Sequence, residues 1–164
     1  MNKKNEASYV TDRLRAMCSR REYCSSDIRK KALALLEGNK DEADIVLGKL
    51  IQEKYVDDRR YSCAYARDKA SISGWGRVKI RYMLSAKGIS RDIIEEALSE
   101  IDCDTSDKRF EKLLLNKYQS LKRGDNVRLK MLRFAMGRGH DYEQSTELID
   151  RIISSEPCFF TSND

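Results

Sequence analysis

Basic side chains dominate one stretch in the middle of the chain, where only Asp68 opposes them. The six bases of this stretch are Arg67, Lys69, Arg77, Lys79, Arg81 and Lys87. Bases grouped in this way can contact nucleic-acid phosphates or an acidic protein groove, and they can also do no more than keep a helix face in water. The stretch therefore predicts either a surface for a polyanionic or acidic partner or a solvated face.

A second concentration of bases runs from Lys108 to Arg138. Ten bases there stand against Asp107, Glu111 and Asp125. The whole chain holds 32 bases and 27 acids, a net charge of +5, and its pI is about 8.9. This excess is modest, so it permits a polyanionic partner without requiring one. Within this second group we single out Lys130 and Arg133 as candidate contacts.

Aromatic and apolar side chains accompany the first basic group. If residues 75–87 form one helix, Ile80, Met83 and Leu84 share a core-facing stripe. Trp75, Val78 and Tyr82 then form a second apolar stripe on the opposite side, bordered by cations. Such a stripe can anchor a protein partner, stack on nucleic-acid bases or pack against a neighbouring repeat.

Catalytic and metal-binding patterns find little support. His140 is the single histidine, and Gly74-Trp75-Gly76 is too short for a phosphate-binding loop. The five cysteines, which include no C-x-x-C pair, are Cys18, Cys24, Cys63, Cys103 and Cys158. Their spacing favours reduced thiols that fill small apolar sites over a zinc site. We therefore expect no enzyme, no catalytic residue, no cofactor and no bound metal.

Helical spacing of apolar residues recurs along almost the whole chain. The faces are Val10, Leu14, Met17 and Cys18; Ala43, Val46, Leu47, Leu50 and Ile51; Ile93, Ile94, Ala97, Leu98 and Ile101; Phe110, Leu113, Leu114 and Leu121; and Leu148, Ile149, Ile152 and Ile153. Candidate N-caps are Ser25-Ser26-Asp27, Asp57-Asp58, Ser90, Asp107 and Asp141. No six-residue segment alternates convincingly, so the chain is predicted to be all-α.

A repeat of about 50 residues organises these helices. Gly38, Gly88 and Gly139 follow one another at 50 and 51 residues, where left-handed helix C-caps are expected. We predict three three-helix repeats over residues 6–56, 57–104 and 105–156, with a tail over 157–164 that contains Phe159-Phe160. Repeats this small must pack on one another, so the expected architecture is an elongated, curved array.

Membrane insertion and secretion are not expected from this sequence. No run approaches the roughly 18 consecutive apolar residues that a membrane-spanning helix requires. The charged residues after Met1 leave no apolar core for a secretory signal. A cytoplasmic location is therefore expected.

Several short motifs together resemble the RecX family of bacterial regulators of the RecA recombinase. They are Leu50-Ile51-Gln52-Glu53-Lys54-Tyr55-Val56-Asp57-Asp58-Arg59-Arg60-Tyr61 with Ala64-Tyr65, Gly74-Trp75-Gly76-Arg77-Val78-Lys79-Ile80 with Leu84, Lys87-Gly88-Ile89, and Leu132-Arg133-Phe134 with Arg138-Gly139. The resemblance covers residues 6–153 and is most specific in the middle repeat. Two places depart from the family pattern: Glu37-Gly38-Asn39, where a basic residue, glycine and an apolar residue are usual, and His140, where an apolar residue is usual.

The resemblance implies a curved array of three-helix repeats and a role in DNA repair and the SOS response. Family members bind RecA filaments on single-stranded DNA and restrain ATP hydrolysis, strand exchange and filament growth, and some bind DNA directly. On this basis we expect a monomer that contacts RecA, single-stranded DNA and in some settings double-stranded DNA. The candidate contact residues are Arg67, Lys69, Trp75, Arg77, Lys79, Arg81, Tyr82, Lys87, Lys130 and Arg133.

Two other functions remain open on the residues alone. A general DNA-binding repeat protein would have no dedicated protein partner, and its affinity would fall steeply with salt. A helical scaffold for an unrelated protein would use its charges only for solvation.

Overall fold

The computed structural model describes residues 3–121 and 124–155, and the predicted tail with Cys158 lies outside them. Nine helices and no strand occur in these two ranges. The helices are α1 Lys3–Cys18, α2 Ser25–Leu35, α3 Lys40–Gln52, α4 Asp58–Ser71, α5 Arg77–Ala86, α6 Arg91–Ser99, α7 Cys103–Leu121, α8 Val127–Gly137 and α9 Tyr142–Ser155. The all-α prediction is confirmed, and the helices follow one another in three sets of three.

The chain forms two compact units. Of the described residues, the first unit holds 3–66 and 81–100, and the second holds 67–80, 101–121 and 124–155. The boundaries of the three repeats, which were predicted from the sequence, stay predictions, since the division into two units does not test them.

Side chains from α1, α2 and α3 form the core of the first unit. Val10 and Leu14 stand one turn apart on α1 and are buried with Ile28 of α2 and Leu50 of α3. Burying one such side chain stabilises a fold by about 1.5–3 kcal/mol, so this face holds the three helices together. Ile51 was expected in the same core, but it is 47 % exposed because Leu50, Val46 and Ala43 already fill the buried stripe of α3.

The core of the second unit is built on α7, α8 and α9. Phe110, Leu114 and Tyr118 repeat every four residues and form the buried stripe of α7. They pack with Met131 of α8 and Ile149 of α9, among other apolar residues. The helical spacing seen in the sequence thus corresponds to a real core face.

Left-handed glycines end the second helix of the second and third sets, as predicted. Gly88 has a φ of 78° and Gly139 a φ of 76°, and the residues after them donate backbone N–H groups to the Leu84 and Ala135 carbonyls. In the first set Gly38 also has a positive φ, of 88°, but it follows Glu37, whose φ is 50°. The period of 51 residues therefore aligns Glu37, and not Gly38, with Gly88 and Gly139, which accounts for the unusual sequence there.

Acidic side chains cap several helices. The Asp57 and Asp141 carboxylates accept backbone N–H groups at the starts of α4 and α9, as expected. The prediction for Asp107 is wrong, because α7 begins four residues earlier, at Cys103. Asp102 caps this helix and accepts hydrogen bonds from the Asp104 N–H and the Thr105 hydroxyl.

Three of the cysteines, Cys18, Cys24 and Cys63, are buried and form no disulfide, as their spacing predicted. Burial raises the pKa of the Cys18 and Cys24 thiols. Cys103 differs from the prediction because its place in the first turn of α7 leaves it exposed.

Candidate functional site

Three successive carbonyls of the α4–α5 connection accept hydrogen bonds from basic side chains of the second unit. Arg109 Nε donates to the Ile72 carbonyl over 3.0 Å, and Arg138 Nη1 donates to the Ser73 carbonyl. His140 Nε2 lies 3.0 Å from the Gly74 carbonyl. A carbonyl can only accept, so Nε2 carries the proton. These three hydrogen bonds to consecutive peptide groups hold the α4–α5 connection in place, and we call it the clamped connection.

Two glycine backbones cross where this connection meets α5. The Gly76 N–H donates to the Arg138 carbonyl over 2.8 Å, and the Val78 N–H donates to the Gly139 carbonyl over 3.2 Å. A Cβ at Gly76 would overlap the Gly139 carbonyl, and a Cβ at Gly139 would overlap the Lys79 backbone. Only glycine at both positions permits these hydrogen bonds.

The indole of Trp75 lies beside two ammonium groups. Lys69 Nζ is 4.8 Å from the ring centroid and Lys79 Nζ is 4.5 Å from it. Both distances fall within the range of cation–π attraction. Lys79 Nζ also donates to the Gly137 carbonyl over 3.0 Å. The sequence had grouped these three residues, and the structure brings them together.

The predicted apolar stripe on one helix is wrong for Trp75. Helix α5 begins at Arg77, so Trp75 belongs to the clamped connection and is half-buried there. Val78 and Tyr82 do lie on α5, where they are 58 % and 70 % exposed. The Gly76 carbonyl accepts the first hydrogen bond of α5, from the Ile80 N–H, so Gly76 is the N-cap residue and Trp75 lies before the helix.

A second aromatic ring with nearby cations lies on α8. The Arg138 guanidinium is 4.7 Å and Lys117 Nζ is 5.6 Å from the centroid of Phe134. Arg138 also reaches the Ser73 carbonyl, and Lys79 reaches the neighbouring Gly137 carbonyl, so the two aromatic groups adjoin. We call this surface the cationic strip; it comprises Lys69, Trp75, Lys79, Lys117, Phe134 and Arg138.

Lys117, Phe134 and Arg138 were not among the sequence-predicted contacts. For Phe134 and Arg138 the signal was the four-residue spacing of Lys130, Phe134 and Arg138, which places a base, an aromatic and a base on one side of α8 and its C-cap. Lys117 lies on α7 and is not part of this pattern. Of the predicted contacts in this unit, Arg67, Arg77, Lys130 and Arg133 are exposed. Neither Lys130 nor Arg133 has an ion-pair partner within residues 3–121 and 124–155.

His140 replaces an apolar residue and also packs as one. Its ring stacks on Phe110 with centroids 3.4 Å apart and planes 10° from parallel. Burial lowers the pKa of the imidazole, and nearby Arg138 lowers it further, while the Gly74 carbonyl and Asp107 act in the opposite direction. The ring is therefore neutral near pH 7 and serves as a structural link.

This environment predicts that acid weakens the fold through His140. The unfolded histidine titrates near pH 6.5 and the native one below that, so between the two values the unfolded chain binds more protons. The free energy of unfolding should fall as the pH drops below about 6.5. In urea denaturation at several pH values, His140→Phe should lose this part of the pH dependence. An identical pH dependence in both proteins would contradict the assignment.

The predicted contacts of the first unit are partly engaged with acids. Arg81 makes two hydrogen bonds to Glu95, of 2.8 and 3.1 Å. Lys87 Nζ donates to Asp27 Oδ2 over 2.6 Å and lies 5.6 Å from the Tyr61 ring centroid. Burial alone would lower the pKa of Lys87, but the hydrogen bond to Asp27 and the electrostatic effects of Tyr61, Cys24 and Asp27 together raise it. Lys87 thus joins α2 to the end of α5.

Removing this ion pair should destabilise the chain. The Lys87 and Asp27 side chains are only 25 % and 28 % exposed, so either partner left alone keeps a poorly solvated charge. We expect Lys87→Met and Asp27→Asn each to lower the free energy of unfolding by about 1–3 kcal/mol. In urea denaturation, the double variant should be destabilised clearly less than the sum of the two. Fully additive effects would show that the pair contributes nothing.

No helix within residues 3–121 and 124–155 has the length and apolar character needed to cross a membrane. In the same ranges, no group of three histidine, cysteine or acidic side chains is arranged to hold a metal ion.

Comparison with solved structures supports the fold. The chain resembles a structure described as regulatory protein RecX, with a TM-score of 0.76 and 22 % identity over 89 % of this chain and 72 % of the other. It also resembles RecX from Lactobacillus salivarius, with a TM-score of 0.72 and 22 % identity over 92 % of this chain and 96 % of the other. The three-helix arrangement therefore occurs in both structures.

Sequence comparison identifies the family. Residues 57–98 match the family model described as RecX, second three-helix domain. Regulatory protein RecX from Clostridium perfringens strain 13 is 33 % identical over 62 % of this chain, which spans about half (49 %) of that relative's length. Regulatory protein RecX from Chlorobium phaeobacteroides strain BS1 is 34 % identical over 131 residues, 77 % of this chain and 85 % of that protein. The chain belongs to the RecX family of regulatory proteins.

Proposed function

We propose that this protein is a non-enzymatic regulator of the RecA recombinase. It binds RecA filaments on single-stranded DNA and inhibits ATP hydrolysis, strand exchange and filament extension. The relationship to the Chlorobium regulatory protein RecX carries this proposal, because it extends over 85 % of that relative. The protein acts as a monomer in the cytoplasm, where RecA and DNA occur together.

The cationic strip supports a contact with DNA inside such a filament. It combines two aromatic rings with four cationic groups within one compact unit. Cations attract the phosphates of a strand, and aromatic rings offer faces on which unpaired bases stack. The hydrogen-bonded α4–α5 connection fixes Trp75 before binding. The protein therefore loses less conformational entropy when a strand binds there.

The other candidate contact residues differ in how available they are to a partner. Arg67, Arg77, Lys130 and Arg133 are exposed and extend the positive surface of the second unit. In the first unit, Tyr82 offers an exposed ring, whereas Arg81 would have to share or leave Glu95. Lys87 contributes least, because its ammonium already binds Asp27.

A general DNA-binding protein is the second candidate, and the cationic strip is the observation that favours it. Such a protein would bind bare single-stranded or double-stranded DNA through phosphate contacts, without needing RecA. Its affinity would depend steeply on salt.

Binding to coated and bare DNA distinguishes the two candidates. An immobilised single strand is left bare or is coated with RecA and a non-hydrolysable ATP analogue, and binding of the full chain is measured between about 50 and 200 mM salt. We expect tighter binding to the coated strand at the higher salt concentration. Binding only to the bare strand, with an affinity that falls steeply as salt rises, would support the second candidate and contradict the first.

A further inference from the structure

A cleft runs between α7 and α9 of the second unit, with a volume of about 450 Å³. Phe110, His140 and Leu148 contribute its apolar floor. It shares Asp107, His140 and Gln144 with a smaller pocket of about 190 Å³ that extends to Trp75 and Gly76. The two cavities are therefore neighbours in this unit.

The walls of the cleft carry uncompensated negative charge. Asp107 and Glu147 line it and are exposed, and neither forms an ion pair within the described part of the chain. Glu111 lines it as well, but Arg151 lies 3.6 Å away and balances that charge. The cleft therefore differs in sign from the cationic strip of the same unit.

The floor does not oppose a cation. The His140 proton on Nε2 faces the Gly74 carbonyl, and burial keeps the ring neutral near pH 7 by lowering its pKa. Leu148 adds a half-buried aliphatic surface. An apolar floor beneath two carboxylates matches a side chain with an aliphatic stem and a cationic end.

We propose that the α7–α9 cleft binds a protein segment that carries a lysine or arginine. The cation pairs with Asp107 and Glu147, and the aliphatic stem packs on Leu148 and His140. A nucleic acid does not fit, because its phosphates would meet carboxylates. The chain's own residues 156–164 contain Glu156 and Asp164 and no base, so they lack the complementary charge. If the proposed function holds, the segment belongs to RecA.

A peptide titration followed by NMR tests the cleft without RecA. The probe is the blocked tripeptide acetyl-Gly-Arg-Gly-amide, and acetyl-Gly-Glu-Gly-amide is its control. We expect saturable shifts of the His140 imidazole and of the Gln144, Glu147 and Leu148 amides, with a Kd of about 1–10 mM for one contact of this kind. The acidic control peptide should leave these signals in place.

Matched variants decide whether the two carboxylates bind the probe. Asp107→Asn with Glu147→Gln should weaken binding at least about fivefold. Glu143→Gln should leave it unchanged, since Glu143 is an exposed acid of the same helix that does not line the cleft. The amide spectra show whether each variant is folded. Absence of saturable shifts in the wild type, or equal affinity in the double variant, would overturn the proposal.

The same variants separate this proposal from the proposed function. Asp107→Asn with Glu147→Gln should weaken binding to RecA-coated DNA and spare binding to bare DNA. If the wild type does not bind coated DNA at all, the proposed function fails while the peptide titration still decides the cleft. If it binds and the double variant binds equally well, RecA does not use the cleft.

Discussion

Gly76→Ala should lower the free energy of unfolding by about 2–4 kcal/mol, the largest single-residue effect that we expect on stability. The added Cβ would overlap the Gly139 carbonyl and the His140 N–H, which belong to backbone and cannot rotate away. The two backbones would have to separate, and the hydrogen bonds from Gly76 and Val78 would lengthen. Urea denaturation followed by circular dichroism measures this destabilisation.

Gly48→Ala is the matched control, with an effect of opposite sign. Gly48 lies in the interior of α3, where a Cβ meets no atom within 4 Å. Alanine is the better helix former there, so this variant should gain about 0.5–1 kcal/mol. Equal stability of the Gly76→Ala and Gly48→Ala proteins would contradict the close backbone crossing.

Charge reversal in the cationic strip should have the largest effect on binding. Lys79→Glu combined with Lys117→Glu places an acid beside each aromatic ring of the strip. Phosphates that approach the strip would then be repelled, so we expect the affinity for single-stranded DNA, bare or RecA-coated, to fall at least about tenfold at near-physiological salt. The slope of log affinity against log salt should become shallower by roughly 0.7 for each phosphate that the variant no longer neutralises.

Lys40→Glu with Lys49→Glu controls for net charge. Both residues are exposed on α3, and each double variant lowers the net charge of +5 by four. This control should keep most of the affinity. If both double variants weaken binding equally, total charge determines binding and the strip has no special role. The near-ultraviolet spectrum of Trp75, the single tryptophan, reports whether the strip keeps its structure.

Local spacing was sufficient to predict the helices and their buried faces. Val10, Tyr61 and Phe110 lie on the first helices of the three sets and are all buried, because a helix presents every third or fourth residue to its core. The glycine C-caps could also be predicted, since a left-handed residue commonly ends a helix in this way. The N-cap prediction for Asp107 was wrong because Asp102, five residues earlier, is an aspartate too and caps the helix.

The site depends on contacts that local spacing does not encode. Gly74 and His140 are 66 residues apart, and the crossing of Gly76 with Gly139 follows from the packing of separate helices. Arg81 and Lys87 were selected for their charge, yet the acids that engage them lie 14 and 60 residues away. Sequence reasoning therefore selected both basic residues as candidate contacts, although each already binds an acid of the same chain.

ATP hydrolysis by RecA on single-stranded DNA tests the central claim most directly. The full chain is titrated into RecA at near-physiological salt, and the rate of hydrolysis is followed. Regulation of the filament predicts that hydrolysis falls at concentrations of this protein well below that of RecA. An unchanged rate, with the added protein folded and RecA bound to the DNA, would contradict the account, as would a fall only when this protein saturates the DNA.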